Sequence, residues 1–281
     1  MRSLSPGKRG AATGRDLSPG RPGGYSPGMR NEDLLALAAR LAASAAAAIE
    51  AVRRAGFVVE RKRDHSPVTA ADRIAEALIV DGLREATPDI PVVAEEAAEA
   101  APIAVPEGRF WLVDPLDGTR EFAAGHDSFA VNIGLVEQGR PLLGAVALPA
   151  TGEIFAGIVG EGAWKQDAAG QRAIQARRLP PEGAAAMVSR RHDNDPMILD
   201  FLARHRVTQV TSIGSALKFC RLAEGVADYY PRRGPTMEWD TAAPEAVLLA
   251  AGGRMTGWDG LPLRYGKPGW RNPPFIARGA A

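Results

Sequence analysis

Three acidic residues stand where apolar runs stop. Glu95 follows Pro91-Val92-Val93-Ala94, Asp114 follows Phe110-Trp111-Leu112-Val113, and Asp117 lies three residues further on. Runs of that composition predict buried strands, whose ends would carry the carboxylates to the edge of a core. Crowded carboxylates repel and raise one another's pKa, and a cation relieves that repulsion. With no His or Cys beside them, the donors are all oxygen, which favours a hard ion such as magnesium over zinc. A fourth acid, Asp240 in Trp239-Asp240-Thr241, stands just ahead of an alanine-rich stretch that predicts a helix. That is the place of an N-cap, and equally of a group that meets a metal or an anion. Taken alone, Asp114-Pro115-Leu116-Asp117-Gly118-Thr119 reads as a tight turn, because Asp-Pro and Asp-Gly are common turn pairs.

The elements that must position these acids follow from periodicity. Asn31 predicts an N-cap for a helix over 32–55 that stops at Gly56. A short strand over 57–61 precedes a second helix within 66–84, with Ile74, Leu78, Ile79 and Leu83 on one face. Strands over 90–94, 110–113, 129–137, 142–148 and 153–159, separated by glycine turns, predict an antiparallel sheet. Beyond residue 160, strands at 187–189, 207–211 and 227–230 alternate with helices at 196–205, 216–224 and 241–251, the pattern of an α/β layer. The expected class is α/β: an α+β half over 29–160 that carries the acids, and an α/β half over 161–281 that faces substrate. Residues 1–28 repeat Ser-Pro-Gly and have no apolar period. They read as a disordered tail, or as sequence ahead of a true start at Met29.

Bulk properties exclude several functions. The 281 residues carry a net charge of +1, so nothing draws the chain as a whole to nucleic acid or to a membrane surface. The single cysteine, Cys220, excludes an internal disulfide and a cysteine-built metal site, and reads as a small core residue. Residues 34–52 are apolar but alanine-rich and interrupted by Arg40 and Glu50, which predicts a soluble helix. His65, His126 and His205 have no partners at metal-ligand spacing. Pro268 stands where a phosphate-binding loop ending at Lys267 would need Ser or Thr. No Gly-x-Ser-x-Gly elbow occurs.

With Glu95-Glu96 upstream and Trp239-Asp240-Thr241-Ala242-Ala243 downstream, the segment 114–119 resembles the inositol monophosphatase superfamily, over residues 32–278. Asp117-Gly118-Thr119-Arg120-Glu121-Phe122, Ser189-Arg190-Arg191-His192, Gly214-Ser215-Ala216-Leu217-Lys218-Phe219-Cys220, Gly234-Pro235-Thr236-Met237-Glu238-Trp239-Asp240 and Pro262-Leu263-Arg264-Tyr265-Gly266-Lys267 resemble its 3'(2'),5'-bisphosphate nucleotidase branch. Several motifs in order are more specific than any one alone.

The resemblance implies a layered αβαβα sandwich and a lithium-sensitive phosphatase that uses two or more Mg2+ ions. Its substrate would be adenosine 3',5'-bisphosphate, and 3'-phosphoadenylyl sulfate as well, in sulfur assimilation. Inositol 1-phosphate or a range of sugar phosphates is the alternative. The resemblance implies metal ligands at Glu95, Asp114, Asp117 and Asp240, with the Leu116 carbonyl, and a water-activating pair of Asp72 and Thr119. Implied substrate contacts are Glu95, Leu116, Asp117, Gly118, Thr119, His192, Ser212, Gly214, Ser215, Lys218 and Asp240. The partner would be a small phosphonucleotide and not nucleic acid, in the cytoplasm. Peripheral contact with the inner membrane and the choice between monomer and homodimer stay open. Arg120, Ala94 and Pro244 depart from the usual family residues without removing an implied ligand.

Overall fold

The computed structural model describes Met1 and residues 29–61, 67–190 and 194–280. The readings of residues 2–28, His65 and His192 lie outside the described residues. Helix α1 (Asn31–Ala55) is followed by the paired strands β1 (Glu60–Arg61) and β2 (Pro67–Val68), then helix α2 (Ala70–Ala86). Next come β3 (Val92–Ala94), α3 (Glu95–Ala100), β4 (Arg109–Asp117) and α4 (Thr119–Ala123). A meander follows: β5 (Ala130–Glu137), β6 (Arg140–Leu148), β7 (Glu153–Ile158), β8 (Gly162–Asp167) and β9 (Gly170–Ile174). Strands β3 to β9 form one seven-stranded sheet in sequence order, antiparallel except for the parallel pair β3 and β4.

The remaining elements are β10 (Ala184–Val188), α5 (Pro196–Arg204), β11 (Val207–Ser212), α6 (Leu217–Ala223), β12 (Tyr229–Arg232), α7 (Ala242–Ala250), β13 (Arg254–Gly257) and β14 (Phe275–Arg278). Their strands form a five-stranded sheet ordered β11-β10-β12-β14-β13, parallel around β10 and antiparallel beyond β12.

Apolar faces stack these elements into five layers. Leu34, Ala38, Ala42, Ala45 and Ile49 recur at helical spacing on α1 and are buried with Ile79 and Leu83 of α2 against Trp111 and Ile133. By length and composition α1 is apolar enough to cross a membrane, but this stripe is spent on α2 and the sheet. Between the sheets, Phe219 of α6 and Leu248 of α7 pack with Phe110, Phe155 and Phe275. On the far face of the second sheet, Ile198 and Phe201 of α5 cover Val188 and Tyr229. The result is the αβαβα sandwich that the resemblance implied.

Several local expectations are corrected. Arg30, not Asn31, is the residue that caps α1, with Asp33 accepting its backbone N–H at 3.2 Å. Ile74 is exposed; the buried face of α2 is Ala71, Asp72, Ala75, Ile79, Val80 and Leu83, because small alanines let the helix lie close to its neighbours. Strand β4 does not end at Val113 in a tight turn. It runs on to Asp117, which pairs with Ala130, and the extra residues are absorbed as a register shift between Asp114 and Asp117. Residue 160 lies in the connection between β7 and β8, so the first sheet continues to Ile174.

The inner helix α7 touches the sheet backbone itself. Gly134, Gly144 and Gly157 pair with one another across β5, β6 and β7. A Cβ on Gly134 would lie 2.6 Å from Ala243 N, one on Gly144 2.7 Å from Ala243 Cα, and one on Gly157 2.6 Å from Ala250 Cβ. Three glycines thus open a trench that admits the helix, and the first turn of α7, just after Asp240, is fixed against the strands. Gly144→Ala would overpack this trench, and urea unfolding is expected to give a loss of about 1–3 kcal/mol. An unchanged midpoint would mean that α7 lifts off the sheet without cost.

Candidate active site

Asp72 belongs to the first turn of α2. Thr69 caps that turn, and its backbone N–H and hydroxyl both donate to Asp72 Oδ2, at 2.7 and 2.8 Å. Oδ1 is left for the hydroxyl of Thr119, 3.0 Å away, which also lies 3.1 Å from the Leu116 carbonyl oxygen. Thr119 begins α4 directly after Gly118, whose φ of +93° is the left-handed conformation that glycine adopts without strain. A residue 47 positions away in sequence is thereby brought to hydrogen-bonding distance of Asp72.

The other acids are held individually. Asp114 is buried at the bulged end of β4, and its Oδ1 accepts the Leu116 N–H at 3.0 Å. Asp117 Oδ2 accepts the backbone N–H of Ala216, from the loop before α6. Asp240 Oδ2 accepts the Met237 N–H at 2.8 Å. Glu95 is the first residue of α3. Burial, then repulsion from Glu95, Asp117 and Asp240, holds the Asp114 carboxyl well above the usual range. Asp240 is raised by burial and then by Asp117 and Glu95. Asp117 is raised by burial, against the pull of Lys218 and the Ala216 N–H.

These four carboxylates are one electrostatic unit, and the cations Lys218 and Arg232 offset only part of their mutual repulsion. Among the described residues no three His, Cys, Asp or Glu side chains close into a ligand cage of their own. The acids instead approach one cleft from three places: the start of α3, the end of β4 and the turn before α7. Asn132, opposite Asp114 in β5, lies close enough to Asp117 to favour its charged form but completes no hydrogen bond of regular geometry. Ser128 Oγ is likewise buried without a partner. All-oxygen donors, excess negative charge and buried polar atoms with open valence fit a hard divalent cation.

The cleft has a volume of about 350 Å3 and is lined by Glu95, Asp117, Gly118, Thr119, Gly214, Ser215, Lys218 and Asp240. Asp72, Asp114 and Leu116 stand behind that lining. Ser212 is exposed at the end of the edge strand β11 and does not line the cleft. Lys218 is buried, and its Nζ donates to the carbonyls of Ile213 at 3.1 Å and Ser215 at 2.6 Å. It braces the loop that supplies the Ala216 N–H to Asp117. Burial pulls its ammonium down to about 7, against the attraction of Asp117.

Sequence reasoning did not single out Ser189, Arg232 or Thr236, which also line the cleft. Arg232 ends the apolar strand β12 as the acids end theirs, so the strand-end rule applied to cations would have found it.

The chain was compared with known proteins. Residues 30–274 match the inositol monophosphatase family. The 3'(2'),5'-bisphosphate nucleotidase CysQ of Salmonella typhimurium is 45% identical over 76% of this chain and 86% of its own length. That of Escherichia coli strain K12 is 44% identical over 77% and 87%. Among solved structures, CysQ from Bacteroides thetaiotaomicron superposes with a TM-score of 0.76 at 32% identity, covering 89% of this chain and 98% of its own. The inositol monophosphatase of Anabaena sp. PCC 7120 gives 0.72 at 28%, covering 89% and 91%.

The raised acids set a pH signature. A carboxyl whose folded pKa exceeds its unfolded value contributes stability that is full below the unfolded pKa and lost as pH rises through the folded one. In EDTA, thermal stability is expected to fall as pH rises above about 4. Magnesium at a hundredfold excess over its Kd is expected to add about 2.7 kcal/mol at neutral pH and flatten the fall. Differential scanning fluorimetry with and without magnesium checks this, and identical profiles would contradict it.

Proposed function

Because the chain belongs to the inositol monophosphatase family, we propose that it is a magnesium-dependent phosphomonoesterase that hydrolyses adenosine 3',5'-bisphosphate to AMP and phosphate in sulfur assimilation. It would act on 3'-phosphoadenylyl sulfate as well. The observation that carries the chemistry is the 3.0 Å contact between Thr119 Oγ1 and Asp72 Oδ1 beside a cleft lined by Glu95, Asp117 and Asp240, with Asp114 behind them. The choice of substrate is supported by the nucleotidase names of relatives 44–45% identical to it.

Glu95, Asp114, Asp117 and Asp240, with the Leu116 carbonyl, would hold two or more magnesium ions. When bound, magnesium acidifies water and neutralises charge on the phosphoryl oxygens. Thr119 takes a proton from the attacking water as it passes its own to Asp72 Oδ1. Thr69, by occupying Oδ2, keeps Oδ1 turned toward Thr119. The water oxygen bonds to phosphorus, the ester bond to the 3' oxygen breaks, and that oxygen is protonated from solvent. Backbone N–H groups of Gly118 and Thr119 would steady the phosphoryl group. Gly214 and Ser215 would bound the nucleotide side of the cleft, with Lys218 holding their loop. Arg232 would supply positive charge for the second phosphate. A small phosphonucleotide as partner, and a cytoplasmic site of action, go with this reading.

Two measurements test it. Thr119→Ala is expected to lower kcat by about 10²–10⁴ with KM little changed, and Thr119→Ser to restore most of the loss. A variant Thr119→Ala with full activity would remove the pair from the mechanism. In a panel of phosphate esters with magnesium, the bisphosphate nucleotide is expected to turn over fastest, and millimolar lithium to inhibit. Faster turnover of inositol 1-phosphate would move the protein to the inositol phosphatase branch.

A further inference from the structure

Glu95 is carried by a short helix at the edge of the cleft. Helix α3 has six residues and none of them is buried; its apolar anchorage is the half-buried Ala98. Ala94, which precedes it, offers no side-chain oxygen to the first-turn N–H groups, which have no partner within a helix. Those groups are met from α2. The Glu96 N–H donates to Glu76 Oε2 at 2.8 Å, and the Ala97 N–H donates to Glu76 Oε1 at 3.1 Å. Both oxygens of one carboxylate therefore grip the first turn of α3. A carboxylate suits this task, being an acceptor at both oxygens and opposite in sign to the helix N-terminus.

Glu76 lies four residues after Asp72, on the same side of α2 and one turn along. We propose that Glu76 is the positioning residue for Glu95: it fixes the start of α3 so that the Glu95 carboxylate faces Asp114 and Asp117 of β4 and Asp240 ahead of α7. The inference rests on the reading of Glu95 as a metal carboxylate. It gives α2 two duties. Through Asp72 the helix orients the Thr119 hydroxyl, and through Glu76 it sets the far wall of the metal site. A displacement of α2 would then disturb water activation and metal binding together. A cavity of about 310 Å3 lined by Glu76, Val80, Ala94, Glu96 and Ile103 lies beside this contact, so packing does little of the holding there.

Manganese binding to the full chain, followed by electron paramagnetic resonance of the free ion, tests the role without reference to turnover. Glu76→Ala is expected to raise the Mn2+ Kd about tenfold, the usual cost of losing a group that orients a ligand. Glu76→Gln, which keeps one carbonyl acceptor, is expected to fall between it and the unmutated chain. Circular dichroism and urea unfolding in EDTA check that each variant is folded. Unmutated affinity in Glu76→Ala overturns the proposal; should that variant not fold, unmutated affinity in Glu76→Gln overturns it and weakened affinity supports it. Glu95→Gln is measured alongside. If it leaves the Kd unchanged, the reading of Glu95 fails. If it weakens binding while both Glu76 variants bind normally, only the positioning role of Glu76 fails.

Discussion

The acids of the site, of which Asp114, Asp117 and Asp240 repel one another, are held in place by backbone N–H groups. Asp72 takes that of Thr69, Asp114 that of Leu116, Asp117 that of Ala216 and Asp240 that of Met237. Each bond fixes one oxygen of its carboxylate, and in Asp72 the second oxygen meets the Thr119 hydroxyl. A backbone donor carries no net charge, so it orients a carboxylate without neutralising it. That distinction matters here. Lysine or arginine partners would relieve the repulsion and with it the need for a cation. Lys218 approaches Asp117 and Arg232 approaches Asp240, but the Lys218 ammonium is tied to the carbonyls of Ile213 and Ser215.

The scaffold exists to keep those backbone donors still. Gly134, Gly144 and Gly157 let α7 rest on the strands, which fixes the helix that follows Asp240. The loop before Asp240 is braced from the C-terminal segment: buried Glu238 accepts the N–H groups of Gly266 at 2.6 Å and Lys267 at 3.0 Å, and Asn272 donates to the Met237 carbonyl at 2.7 Å. Elsewhere the layers are locked by charge. Lys165 of β8 reaches Glu224 at 2.9 Å, and Arg221 of α6 reaches Glu153 of β7 at 2.8 Å, joining the first sheet to the inner helix layer. Burial would raise the Glu153 carboxyl, but Arg221 and Lys165 outweigh it and pull it down to about 2.

The helices and the buried strands were legible because their signal is local. Apolar spacing marked α1, and the apolar runs before Glu95 and Asp114 marked β3 and β4. The last two strands of the first sheet, β8 and β9, were not, since Lys165, Gln166 and Asp167 face water or ion pairs and leave no apolar alternation. The continuation of β4 past Pro115 was missed because Pro and Gly are turn residues in isolation. Only pairing of Asp117 with Ala130 makes that segment a strand. Of the site, the acids could be picked out by type and position, but their carboxyl orientations depend on partners as distant in sequence as Ala216. Glu76 had no legible signal at all, because its role lies in the N–H groups of another helix.

The central claim is that Glu95, Asp114, Asp117 and Asp240 together bind a divalent cation. Crystals grown with manganese, with diffraction recorded at the manganese absorption edge, address it directly. The account predicts anomalous peaks among these four carboxylates and the Leu116 carbonyl. Manganese sites elsewhere, or none within coordinating distance of Asp114 and Asp240, would contradict it.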